Sequence, residues 1–129
     1  MASQPRKLAM KTMPGSKILE RIRAIVDDLP EMAEVEAWGH PTFRAGKKMF
    51  AGYGEDKVEG AILGMNVGFE RQEELLRDAK FFPTPYAAHR GWVSMRLDAK
   101  TNWQQVKGLL HEAYRHVANK RMLQTLDQR

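Results

Sequence analysis

W-G-H-P-T-F-R-A-G-K-K-M-F-A, running from Trp38 to Ala51, sets the architecture of this chain. Two short runs with apolar residues, Phe43-Arg44-Ala45 and Met49-Phe50-Ala51, flank Gly46-Lys47-Lys48. Glycine between extended runs marks a hairpin, because it takes positive φ without a Cβ clash. Pro41 donates nothing to a sheet ladder and belongs at a strand start or an edge. The stretch therefore reads as a Trp-Gly-His-Pro corner feeding a hairpin with Lys47 and Lys48 at its tip.

Outward from the hairpin, other segments alternate with period two. In Glu34–Trp38, Val35 and Ala37 take one face, and Glu34, Glu36 and Trp38 the other. In Val58–Val67, Ala61, Leu63, Met65 and Val67 oppose Gly60, Ile62, Gly64 and Asn66. Trp92–Leu97 turns Val93, Met95 and Leu97 inward and Trp92, Ser94 and Arg96 outward. Helical spacing of Ile18, Ile22, Ile25, Val26 and Leu29 predicts a helix capped at Ser16 and ended before Pro30. A short helix is expected over 70–78, and two prolines keep 80–86 out of regular helix. A last helix runs from about Asn102 to Leu123, with Thr101 and Gln104 as a capping box. Gly108 inside it implies close packing beneath.

This order excludes a parallel doubly wound sheet. It predicts an α+β two-layer sandwich, an antiparallel sheet with the N- and C-terminal helices on one face. Trp38, Arg44, Ile62, Asn66, Trp92, Ser94 and Arg96 then share the open face. Residues 1–15 are expected to form a flexible basic arm with Arg6, Lys7 and Lys11, and 16–129 a single domain.

The 129 residues suit one domain. Without cysteine there is no disulfide, thiolate metal site or cysteine nucleophile. No apolar run reaches the ~18 residues of a membrane span, and no secretory signal is evident, so a cytoplasmic location is expected. The net charge of +5 is uneven. Residues 16–79 hold nine basic and thirteen acidic side chains, and 80–129 nine and three. Such polarity favours an anionic partner on one side.

Catalytic signatures are missing. The sequence has no G-x-S-x-G, H-E-x-x-H or phosphate-binding glycine loop. His40 and His89 fall in separate loops, and His111 and His116 lie on different faces of a helix. The acidic run Asp27, Asp28, Glu31, Glu34 and Glu36 matches no calcium loop and reads as a solvated helix end and edge strand. The expectation is a non-enzymatic protein without metal or cofactor. Arg44, Lys47, Lys48, Arg90 and Arg96 can meet phosphates, and Trp38 and Trp92 can stack on bases. Alternatively, Trp38, Ile62 and Trp92, with His40, Arg44 and Arg96 around them, form a site for a small anionic ligand or a protein. His40 beside Pro41 can instead fix the corner by a hydrogen bond to a neighbouring carbonyl. A monomer is the default.

The succession L-P-E, W-G-H-P-T-F-R, G-K-K-M-F-A, G-W-V-S-M-R-L-D and a terminal A-Y-R-H-V-A resembles the MmcQ/YjbR family over nearly all the chain after residue 15. The resemblance implies a CyaY- or frataxin-like fold and a DNA-binding role, making DNA the leading partner. Ala113 stands before Tyr114 where the family commonly shows serine, so no hydroxyl role carries over there. Iron binding does not carry over either, because the acidic residues form no helical ridge.

Overall fold

The computed structural model describes residues 13–129, with side chains from Lys17 onward. Most of the arm expected over 1–15 thus lies outside the described residues, although the first helix begins at Met13, before Ser16. The hairpin forms where the glycine demands it. Strands β2 (His40–Ala45) and β3 (Lys48–Asp56) join through Gly46, whose φ is +63. A Cβ on Gly46 would sit 2.7 Å from Met122 Cε, the movable end of a flexible side chain, so it is the positive φ that calls for glycine at this turn.

The hairpin is the middle of a six-stranded antiparallel sheet. With β1 (Met32–Ala37), β4 (Gly60–Asn66), β5 (Phe81–Pro83) and β6 (Trp92–Leu97), the order is β1-β2-β3-β4-β6-β5. Strand β5 comes from the proline-bearing stretch and pairs only with β6, so Pro83 sits on an edge where a missing N–H is tolerated.

One face of the sheet is covered by helices α1 (Met13–Val26) and α3 (Trp103–Val117). Phe43, Phe50, Leu63, Met65 and Val93 are wholly buried, as are Ile22 and Val26 of α1 and Val106, Leu110 and Tyr114 of α3. The Phe50 and Tyr114 rings meet edge to face, 5.5 Å between centroids. The Tyr114 hydroxyl donates to Pro30 O at 2.6 Å, tying α3 to the connection after α1. Ala113, beside it, is fully buried as a small spacer.

A bulge explains why Phe50 and Ala51, adjacent in sequence, are both buried. Phe43 pairs with Ala51 and Arg44 with Met49, leaving Phe50 as the extra residue of β3. It resets the parity so that Gly52 and Gly54 face away from the helices.

Several expectations are corrected. Register puts Val35 opposite Thr42 and Glu34 opposite Phe43, so Val35 and Ala37 face the open side and Glu34 and Glu36 the helix side. Trp38 nonetheless reaches the open side, because it is a turn residue with φ +54 and leaves the strand alternation. The terminal helix is two helices. Asn119 caps α4 (Lys120–Asp127) by accepting from Met122 N, and Ala118 is extended. The cap of α3 is Asn102, which accepts from Gln104 N and Gln105 N, while the Thr101 hydroxyl accepts from Asp98 N. Gly108 faces solvent, and a Cβ added there would meet nothing within 4 Å, so no close packing requires it. Helix α2 (Phe69–Leu75) is shorter than expected and anchors through buried Leu75.

Three members of the acidic run are met by arginines. Glu34 accepts from Arg23 at 2.9 and 2.7 Å, Glu31 from Arg121 at 2.9 and 2.8 Å, and Asp28 pairs with Arg129 at 3.6 Å.

Candidate functional site

The face of the sheet turned away from α1 and α3 carries a cleft of about 720 Å³. Sheet register builds its floor row by row. Thr42 pairs with Gly52, Gly52 with Gly64 and Gly64 with Ser94, a row of four small residues across β2, β3, β4 and β6. The next row sets Gly54 beside Ile62 and Ile62 beside Arg96, with the His40 ring against Gly54. Thr42 and Ser94 are buried and satisfied: the Thr42 hydroxyl donates to Val35 O, and Ser94 Oγ lies 2.8 Å from Thr84 Oγ1. That second bond holds the segment between β5 and β6 down beside the floor.

Aromatic side chains make the walls. Trp38, in the β1–β2 turn, is 84% exposed, and Tyr86, between β5 and β6, is 98% exposed. Both have left-handed backbones, φ +54 and +65. Trp92 is half-buried and leans over Gly64, where a Cβ would stand 3.7 Å from its Cε3. Gln72 of α2 donates to Ala88 O at 2.7 Å and Trp92 O at 2.8 Å, fixing the wall from behind.

The charged groups divide. Arg90, at the end of a short 3-10 turn (Ala88–Arg90), lines the cleft, is exposed and makes no ion pair among the described residues. His40 lines it too and makes no hydrogen bond among the described residues, so the corner is not fixed by its side chain. The Asp56 carboxylate is held below its usual value by Glu59 N and Val58 N, which both donate to it. The Glu55 carboxylate accepts from the Tyr53 hydroxyl at 2.9 Å. Burial, then that carboxylate, pushes the Tyr53 phenol up, so it stays a neutral donor.

A family model described as YjbR matches residues 27–116. The chain belongs to the YjbR family. Among solved structures, the YjbR-type fold is shared by a Deinococcus radiodurans protein, DR2400, described as a DUF419 domain, with a TM-score of 0.66 and 24% identity over 79% of each chain. A Pseudomonas syringae protein superposes with a TM-score of 0.62 at 12% identity, covering 75% of this chain and 96% of that one. At these identities the likeness is one of fold. Curated proteins give no match.

Within this YjbR domain the residues singled out from sequence do not form one surface. Trp38, His40, Arg90 and Trp92 come together at the cleft. Lys47 and Lys48 are exposed at the β2–β3 turn, the opposite end of the sheet from the β1–β2 turn that carries Trp38. Arg96 has the open-face parity, but its guanidinium is ion-paired with Glu59 and stacked 4.5 Å over the Phe82 ring. Arg44 is half-buried, with Nε enclosed and without a hydrogen-bond partner. Sequence reasoning missed Tyr86 and the floor glycines Gly52 and Gly54, while it had placed Gly64 on this face. The available signals were a tyrosine closing the P-T-P-Y run beside a strand, and the G-Y-G alternation at 52–54.

Among the described residues no group of three His, Asp or Glu side chains is placed to hold a metal, and no helix is long and apolar enough to cross a membrane.

Proposed function

We propose that this YjbR domain is a non-enzymatic binding module that takes its ligand on the open sheet face. One observation carries the reading: the mainly apolar cleft walled by Trp38, Tyr86 and Trp92, of a volume usual for small-molecule sites. Exposed aromatic rings of this size supply most of the contact area in recognition surfaces and lose little entropy when covered. The test is a thermal-shift screen of an aromatic compound library against the wild-type protein and Gly52→Val. A side chain at Gly52 fills the floor, and its Cβ meets only Pro41 O at 3.9 Å and Thr42 Cγ2 at 4.0 Å. Compounds that raise the wild-type melting temperature and leave the variant unmoved support the reading; ligand at about 100 times Kd adds ~2.7 kcal/mol. A screen in which every stabilising compound acts equally on both proteins overturns it.

DNA is the second reading, favoured by Lys47 and Lys48, exposed at the hairpin tip and without an ion pair among the described residues. It predicts binding that weakens steeply with salt and falls in the double variant Lys47→Ala/Lys48→Ala. The first reading ranks above it because Arg96 is engaged by Glu59 and Arg44 is half-buried, which leaves no continuous phosphate track among the described residues.

A further inference from the structure

We infer that the cleft takes an elongated, planar aromatic molecule bearing an anionic group, its rings on the Gly52–Gly54 floor and its anion at Arg90. The inference rests on the open-face reading and names the ligand class of that site. Three independent features support it: the shape of the floor, the state of the walls and the charge left over.

The floor is flat where the walls leave it open. Gly52 and Gly54 present bare backbone, and their φ values lie outside the left-handed region. A Cβ on Gly52 would find ordinary contacts at 3.9 and 4.0 Å, and one on Gly54 would meet His40 Nδ1 at 3.5 Å. Neither backbone geometry nor crowding therefore excludes a side chain, and a β-branched residue suits a strand better than glycine. What the glycines leave is a surface level with the peptide planes, the shape that the face of an aromatic ring covers. Strand spacing makes the floor from β2 to β6 about 14 Å wide, which accommodates two or three linked rings.

The walls are strained and unsatisfied. Trp38 and Tyr86 hold left-handed backbones, a conformation that large side chains adopt rarely, yet their rings are 84% and 98% exposed. Their own packing within the chain does not offset that strain. Such strain gathers at ligand clamps, where covering the ring compensates it.

The charge beside Trp92 is positive. Arg23, Arg71, Arg96, Arg115, Arg121 and Arg129 each pair with a carboxylate; of the described arginines without an ion pair (Arg21, Arg44, Arg77 and Arg90), Arg90 is the one that lines the cleft. His40 adds a ring nitrogen donor nearby. Two carboxylates also line the cleft, Glu55 and Asp56, whose charge their hydrogen bonds do not cancel; sheet register sets them beside Ala61 and Gly60, at the other end of β4 from the Asn66–Trp92 pair. At the Arg90 end an anion is thus the complementary charge.

The test uses two dyes of matched shape, 1-anilinonaphthalene-8-sulfonate and the neutral N-phenyl-1-naphthylamine, titrated into the full chain. The sulfonate is expected to bind at one equivalent. Arg90→Ala should weaken it about tenfold and leave the neutral amine unchanged. Gly52→Val should abolish both while keeping the melting temperature, and exposed Trp38→Ala serves as the second variant if Gly52→Val destabilises the fold. Equal binding of both dyes, unmoved by Arg90→Ala but lost in Gly52→Val, overturns the anionic ligand and leaves the open-face reading standing. Sulfonate bound at several equivalents, or indifferent to Gly52→Val and Trp38→Ala, overturns both.

Discussion

Tyr114 joins the two layers through one atom. Its ring is wholly buried, and its hydroxyl reaches Pro30 O, 84 residues away in sequence. Tyr114→Phe keeps the ring contact with Phe50 and orphans a carbonyl in the core. The expected loss is about 1–2 kcal/mol by urea denaturation, with the slope unchanged. Two glycines give opposite results. Gly108 is exposed in the middle of α3 with empty space where a Cβ would go, so Gly108→Ala should raise stability by roughly 1 kcal/mol. Gly91 has φ +91, and a Cβ there would stand 2.9 Å from Gly68 Cα, so Gly91→Ala should lower stability by more than about 1 kcal/mol. Thermal melting of the two variants side by side checks both signs.

At the level of elements, alternation in Val58–Val67 and Trp92–Leu97 read through to β4 and β6, because each strand has one face under the helices and one away from them. The same rule gave the wrong faces for β1, an edge strand whose residues 33–36 are all exposed, so apolar character there records no core. The Phe50 bulge was invisible because Met49-Phe50-Ala51 has no polar residue to mark the parity change. The break at Ala118 was hidden by the continuous helical spacing across it; Asn119 was the readable signal, being a preferred N-cap residue. Asn119→Ala should detach α4 at a cost of about 0.5–2 kcal/mol, seen as early loss of amide protection over 120–127. The packing of α1 on α3 carries a pH dependence. Burial, then Lys107, lowers His111 below its usual value, with Asp28 opposing. The fold therefore favours the neutral imidazole, and the unfolded chain takes up the proton first as pH falls. This contribution is intact above the unfolded histidine value near 6.5 and declines below it. His111→Gln should flatten the stability profile between about pH 7 and 5, measured by urea midpoints across that range.

Over the whole molecule, the helices take one face of the sheet and leave the other to Trp38, Tyr86 and Trp92. That division was legible, since the order of elements and the parity of β4 and β6 put Ile62, Trp92 and Ser94 on the uncovered side. The grouping of cations was not, because ion pairs such as Arg96 with Glu59 join residues 37 apart and leave no local pattern. Nor did the charge profile along the chain foretell that the acidic run would be met by Arg23, Arg121 and Arg129 from the helices and the C-terminus. The measurement that bears most directly on the open face as the recognition surface is a backbone amide shift map recorded while 1-anilinonaphthalene-8-sulfonate is added. Movement at Gly52, Gly54, Ile62, Tyr86 and Arg90, with the hairpin tip still, is the predicted result. Movement confined to Gly46–Lys48, or to the α1–α3 groove around Arg21 and Trp103, would contradict it.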